Sequence, residues 1–417
     1  MRYQSVEYIM DQLDIEVFSV SDVGNNQGLS DIYDRRAASG DLSGFEPQKD
    51  FRCTPKEALK GAKTVIAIAV PYGIKNRWTS GTPRGFVTNM AWEFDYHNVV
   101  KNKLDQIKEA LLQNHPDANF LTAVDTGPIN DRMTAYGSGL GWIGRNQFII
   151  DERVGSGFYI GLIISDFKVE GAKPWRENFE SKCGNCRKCQ SSCPANALTG
   201  EYDFHGQRCI SSLTQFKRDL TYDERYRIGR NLYGCDICQW ACPHNNQVSK
   251  IPEDLTRRTI NTVDPFEILG HSNKSFKREY GHMGFAWRGL KIYKRNALIV
   301  IGNDRQAKDF DRVRDMLLSL PSGLESYGLY AMMMISPQKT KDYLEDKALK
   351  QKRSNSVPSE NITIKVENTE ADHKNNDKAV KNEIQCLLDE FKLIEEWMRY
   401  KFRNLDTSEK EKWLIKK

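Results

Sequence analysis

Cys183-Gly184-Asn185-Cys186-Arg187-Lys188-Cys189-Gln190-Ser191-Ser192-Cys193-Pro194 is the stretch on which the reading of this chain turns. Its spacing is C-x2-C-x2-C-x3-C-P. In such a run three closely spaced thiolates converge on the corners of one [4Fe–4S] cube, while the fourth reaches across to a second cube. The reciprocal run is Cys235-Asp236-Ile237-Cys238-Gln239-Trp240-Ala241-Cys242-Pro243, preceded by Cys209. The crossed topology assigns Cys183, Cys186, Cys189 and Cys242 to one cluster, and Cys193, Cys209, Cys235 and Cys238 to the other. Paired C-x2-C spacings also suit structural zinc, the competing reading. Two runs that each end in Cys-Pro favour clusters.

These eight are most of the chain's 10 cysteines; Cys53 and Cys386 stand apart. In a small secreted domain such a density would suggest disulfides, but this chain has 417 residues and opens on MRYQSVEYIMDQL, which is not an export signal. No apolar run reaches the roughly 18 residues of a membrane span. The expectation is a cytoplasmic monomer with no membrane association. The net charge of +5 permits a polyanionic partner without requiring one.

Outward from the cysteines, residues 1–180 read as an α/β domain. Its strands are Thr64–Val70, Phe120–Val124 and Phe158–Ser165, and residues 94–115 carry apolar side chains at the helical period. Residues 181–250 hold too little apolar material to fold without their inorganic centres, and form a ferredoxin-like unit. Residues 251–336 read as helical, with Trp287–Ile301 an amphipathic helix whose basic face carries Arg288, Lys291 and Arg295. Residues 337–381 have the composition of a polar linker, and 382–417 of a terminal helix. The fold class is α+β. Two clusters say only that electrons move, so the reaction must be sought elsewhere in the chain.

Around the clusters stand Arg208-Cys209-Ile210-Ser211-Ser212-Leu213-Thr214-Gln215 and Tyr233-Gly234-Cys235-Asp236-Ile237-Cys238-Gln239. Upstream are Asp95-Tyr96-His97, Val124-Asp125-Thr126-Gly127-Pro128 and Gly139-Leu140-Gly141-Trp142-Ile143-Gly144-Arg145-Asn146. Together these resemble the epoxyqueuosine reductases, from about Tyr33 to Asn303. Lys294-Arg295-Asn296-Ala297-Leu298 with Gly302-Asn303 is similar to the family's signature on HEAT-like helices. The resemblance implies an N-terminal cobalamin-binding domain and a C-terminal HEAT-like segment that meets tRNA. It also implies reduction of epoxyqueuosine to queuosine at the wobble position, with electrons passing from an external donor through the clusters to cobalamin.

By the same resemblance Asp125 is the proton donor and a cofactor neighbour. Expelling an epoxide oxygen as water needs protons delivered to it, and a carboxyl whose pKa is raised by desolvation suits that task. An Asp after a strand is otherwise a turn or cap residue. Cobalamin contacts are expected from Gly139, Gly141, Gly144, Asn146 and Gln147, with Arg52, Ser212 and Thr214 as further candidates. The glycines also read as tight turns. His97 reads either as a satisfied helix residue or as a cobalt ligand, and ligation is not expected. Arg145 replaces the family's usual Lys, and Gln147 its usual Ser or Cys.

Arg257, Arg258, Lys274, Lys277, Arg278, Arg288, Lys291, Lys294 and Arg295 make the stretch after the clusters basic. Of these, Arg288, Lys291, Lys294 and Arg295 are the expected tRNA contacts, since phosphate contacts position an RNA while an extruded base is read separately. The alternative is an ordinary solvated helix face. Two rival functions remain at this level: a cobalamin-dependent reductive dehalogenase, and an electron-transfer protein without a substrate of its own.

Overall fold

The computed structural model describes residues 1–26, 28–45, 54–74, 84–92, 95–125, 129–200, 202–245, 262–355 and 370–404, with side chains described to 350 and from 384 in the last two segments. Its first body is built on Thr64–Pro71, whose sequence TVIAIAVP is apolar without alternation because both of its faces are covered. Val65, Ala67 and Ala69 point to one core, with Met133 and Tyr136 of the Asp131–Ser138 helix. Ile66, Ile68 and Val70 point to the other, with Val100, Leu104 and Ile107 of the Tyr96–Asn114 helix. That helix starts where the Asp95 side chain accepts from the His97 backbone N–H. It lies so close to the sheet that a Cβ on Gly161 would stand 2.8 Å from Val100.

The strands are β1 (Phe18–Asp22), β2 (Thr64–Pro71), β3 (Gly85–Val87), β4 (Phe120–Ala123), β5 (Trp142–Ile143), β6 (Ile149–Ile150), β7 (Phe158–Ser165), β8 (Asn231–Tyr233) and β9 (Thr262–Val263). The main sheet runs β1-β2-β7-β4, and every neighbouring pair in it is antiparallel. The expected layering of strand and helix is present, but without parallel crossovers.

A second sheet, β8-β3-β9, takes one strand from before the cysteine runs, one from among them and one from after them. The cluster segment is thereby sewn to both of its flanks. The helices that follow share a core in which the Leu290–Asp304 helix is buried almost all round, against Pro265–Gly270, Glu325–Ile335 and β8.

Three expectations change here. The Trp287–Ile301 helix is a 3-10 turn, Gly284–Arg288, then an α-helix that begins at Leu290. Arg295 is not on a solvent face: it is 3 % exposed, and its guanidinium donates to the carbonyls of Leu213 and Phe216 at 3.0 and 2.5 Å. The basic face was inferred from charge spacing, but five donors on one side chain can satisfy buried carbonyls just as well as meet water. The expected linker begins as helix Pro337–Asn355, and the terminal helix Glu370–Asn404 buries Leu387, Phe391 and Ile394 against the helical core. No helix among the described residues is long and apolar enough to cross a membrane.

Candidate active site

Cys183, Cys186, Cys189 and Cys242 line a single pocket of about 320 Å³ with Arg145, Asn146 and His244. Cys189 lies on the one-turn helix Lys188–Ser191 and Cys242 just beyond the one-turn helix Ile237–Trp240, so the two cysteine runs lend each other a ligand. The remaining four group separately. Burial pushes the Cys235 and Cys238 thiols up, and Cys209 and Cys193 lie close enough to add to the effect on both.

Among the described residues, no three His, Cys, Asp or Glu side chains converge on the point a single metal ion would occupy. A [4Fe–4S] cube takes its four thiolates at four separate iron corners. Backbone N–H groups already face the sulfurs: Ala197 donates to Cys193 Sγ at 3.4 Å. Burial also leaves the Asn146 side-chain N–H2, beside the first set, without a hydrogen-bond partner. A donor aimed at cluster sulfur is the arrangement that tunes such centres.

Asp236, between Cys235 and Cys238, is 1 % exposed and accepts from Thr88 Oγ1, Asn89 N, Asn89 Nδ2 and Gln239 Nε2 at 2.6–3.0 Å. This carboxylate fastens the second cysteine set to the residues after β3. Gln239 Oε1 in turn accepts from Tyr72 Oη at 3.4 Å and Ser156 Oγ at 3.1 Å. Both of those side chains line a neighbouring cleft.

That cleft, about 490 Å³ with its open mouth, is walled by Met90, Phe148, Phe158 and Ile160, and carries Tyr96, Asp125 and Arg132 among its polar groups. Asp125 follows β4 with φ +49°, a left-handed conformation that turns its carboxylate toward the Tyr96–Asn114 helix. Tyr96 Oη donates to Asp125 Oδ2 at 2.7 Å, and His97 Nε2 stands 3.7 Å from the same oxygen. His97 Nδ1 meets Asp95 Oδ1 at 2.7 Å. The side chain of Asp125 remains 53 % exposed to the cleft mouth.

The electrostatics correct the expectation of a raised carboxyl. His97 first, and then the Tyr96 hydroxyl, hold the Asp125 carboxyl below its ordinary value of 3.8, outweighing desolvation. Reciprocally, Asp125 first and then Asp95 lift His97 above its ordinary 6.5. Both shifts favour the charged forms, a carboxylate on Asp125 and an imidazolium on His97. Burial and the Asp125 charge push the Tyr96 phenol far up, so it donates a hydrogen bond without losing its proton.

Of the other expected contacts, the structure gives several a packing role. Gly139 ends the Asp131–Ser138 helix at φ +89°, and a Cβ on Gly141 would stand 2.4 Å from the Ile150 carbonyl oxygen. Gly144 is closed off in the same way by the Ile150 side chain. Thr214 is fully buried, with Oγ1 donating to the Ser211 carbonyl and accepting from Gly234 N–H; Ser212 is buried beside it. Gln147 accepts from Arg36 through Oε1, and its carbonyl accepts from Arg132. Arg288 is half-buried, Lys291 exposed and Lys294 partly exposed. Arg52, Arg257 and Arg258 lie outside the described residues. In the sequence His97 reads only as a satisfied helix residue or a cobalt ligand; the nearness of Asp95-Tyr96-His97 to Asp125 has no sequence signal, since 29 residues separate Tyr96 from that carboxylate.

Known proteins share sequence and fold with this chain. Residues 182–245 match a family model described as a 4Fe-4S double cluster binding domain, and residues 52–126 one described as epoxyqueuosine reductase QueG, DUF1730. The epoxyqueuosine reductase of Staphylococcus aureus is 36 % identical over 272 residues, 64 % of this chain and 70 % of its own length. A solved Bacillus subtilis epoxyqueuosine reductase, in which a catalytic aspartate loop is swung out of the active site, superposes with TM-score 0.73 at 29 % identity, covering 84 % of this chain and 94 % of that one. An epoxyqueuosine reductase solved with an epoxyqueuosine-modified tRNA stem loop superposes with TM-score 0.74 at 27 % identity, covering 94 % of this chain and 99 % of that one.

Proposed function

The chain belongs to the epoxyqueuosine reductase family, and we propose that the cleft beside Asp125 is where it removes the epoxide oxygen, with Asp125 as the proton donor. The protein is an oxidoreductase of queuosine biosynthesis that binds [4Fe–4S] clusters and reduces epoxyqueuosine in tRNA to queuosine. The conversion consumes two electrons and two protons and releases the oxygen as water. The observation that carries the site assignment is the grouping of Tyr96 and His97 on Asp125 at the open mouth of a cleft whose inner wall bonds to Gln239, next to Cys238.

The eight thiolates divide as the crossed topology requires, Cys183, Cys186, Cys189 and Cys242 on one cluster and Cys193, Cys209, Cys235 and Cys238 on the other. Cluster two then lies next to the cleft. The Cys183, Cys186 and Cys189 edge is partly exposed, which suits entry of electrons from an external donor at cluster one.

The same cleft would take part of one face of cobalamin. Phe148, Phe158 and Ile160 would offer it an apolar wall, while both nitrogens of His97 face carboxylates. When bound, cobalamin supplies a low-valent cobalt reductant. Arg132, which lines the cleft and holds the Gln147 carbonyl, is the polar group at hand for its periphery.

The chain's own work is proton delivery. In the open cleft, water stabilises the charged pair of Asp125 and His97. A nucleoside that fills the mouth expels that water and disfavours both charges, so the proton moves from His97 to the Asp125 carboxyl. Tyr96 holds the carboxyl in place through its 2.7 Å bond while the proton passes to the departing oxygen. Lys291, Lys294 and Arg288 are proposed to meet the tRNA backbone; Arg295 is excluded by its burial. The test is anaerobic turnover with cobalamin, a chemical reductant and epoxyqueuosine-containing tRNA, with nucleosides read by mass spectrometry. Queuosine is expected. A protein with full iron and cobalamin that forms none would overturn the assignment.

A further inference from the structure

Trp287 is 59 % exposed, an unusual place for the largest aromatic side chain, and yet it is held still. Its Nε1 donates to Tyr233 Oη at 2.7 Å, and Tyr233 is itself buried. The Arg288 guanidinium lies 4.3 Å from the Trp287 ring centre and 4.9 Å from that of Phe45. Phe45 stacks on Phe216 at 5.5 Å, and Arg218 covers Phe216 at 4.7 Å. The result is a ladder, Trp287, Arg288, Phe45, Phe216 and Arg218, drawn from three separate segments. Arg288 is anchored in it by donation from Nε to the Gln215 carbonyl at 2.8 Å.

The ladder's exposed end is carried by a turn that packs against one wall of the cleft. The 3-10 turn Gly284–Arg288 that carries Trp287 packs on the segment bearing the proton relay: Asp95 N–H donates to the His282 carbonyl at 3.0 Å, and a Cβ on Gly284 would lie 3.8 Å from the Tyr96 ring. Tyr233, to which Trp287 is bonded, lies within electrostatic reach of Asp125. A rigid aromatic face at the rim of a site that takes in one nucleoside, with Arg288 and Arg218 stacked behind it, has the composition of a base-stacking platform.

Resting on the reading above, we propose that Trp287, backed by Arg288, stacks on a nucleobase next to the modified nucleotide and so holds the anticodon loop open while that nucleotide enters the cleft. Stacking tolerates any base, so the platform grips the loop without reading its sequence. Phosphate contacts from Lys291 and Lys294 add position around it.

The experiment measures binding of a synthetic anticodon stem–loop carrying epoxyqueuosine to the full chain with its clusters. Trp287→Ala is expected to weaken Kd by about tenfold, within the roughly 5- to 150-fold range that base–aromatic stacking supports. Trp287→Phe retains most of the affinity, which separates lost stacking from lost structure. With stem–loops that are abasic on both sides of the modified nucleotide, wild type and Trp287→Ala bind equally. Equal affinity of the two proteins for the intact stem–loop overturns the platform, as does a Trp287→Ala protein that loses cobalamin but not RNA affinity. A wild-type protein that does not bind the stem–loop at all overturns the functional reading itself.

Discussion

Between Cys183 and Cys242 the residues that act together are near in sequence, whereas in the neighbouring cleft they come from Asp95–His97, Asp125, Arg132 and β7. The first region is specified by spacing: two one-turn helices and a crossed pair of motifs deliver thiols to two cubes. The second is specified by packing, because only the docking of the Tyr96–Asn114 helix against β7 brings Tyr96 and His97 to the end of β4. Loss of a ligand in the first region removes an electron carrier. Loss of a partner in the second leaves the cleft standing and changes where a proton resides.

The sharpest break between the regions comes from Cys238→Ser, expected to abolish turnover and remove about half the iron, since one of two clusters goes. Iron and sulfide analysis checks this, and full iron content in an inactive variant would refute the ligand assignment. Next in size is Asp125→Asn. It is expected to lower kcat by about 10²- to 10⁴-fold, the usual contribution of a positioned acid, with iron content and stem–loop Kd unchanged.

His97→Gln tests the relay. His97 is charged below its raised pKa and loses its proton as pH climbs through that value, so wild-type kcat falls on the alkaline side, above pH 6.5. The variant is expected to lose about tenfold at neutral pH, less than the 10²-fold or more of a direct donor, together with that alkaline limb. A variant whose pH profile overlays the wild type would place the proton elsewhere.

The smallest effects separate two basic residues of one helix. Arg295→Met is expected to lower stability by about 1–3 kcal/mol for each backbone carbonyl left unpaired, seen as a drop in Tm. Lys291→Ala is expected to leave Tm alone and to reduce the salt dependence of tRNA binding by about one unit of log–log slope. The reverse pattern would restore Arg295 as an RNA contact.

The two central strands and the long helix of the first body were legible because their apolar periods are long and uninterrupted. Thr64–Val70 and Phe158–Ser165 fall on β2 and β7, and residues 94–115 on the Tyr96–Asn114 helix. Asp125 was legible through a resemblance, and its chemical state was not. Desolvation alone predicts a raised pKa, whereas the folded chain supplies an imidazole and a phenol that reverse the sign. Likewise Arg295 shares its charge with Lys291, and nothing in composition distinguishes one that binds carbonyls inside from one that meets solvent.

The sequence by itself marked eight cysteines whose short, fixed spacings suit two crossed sets of ligands, because a cube's corners demand such spacings. Tertiary structure alone decided that β3, β8 and β9 join three parts of the chain into one sheet, that His97 and Tyr96 stand against Asp125, and that Trp287 is tied to Tyr233. Those relations hold between residues distant in the chain, and it is the packing of the folded cores that brings them within bonding distance.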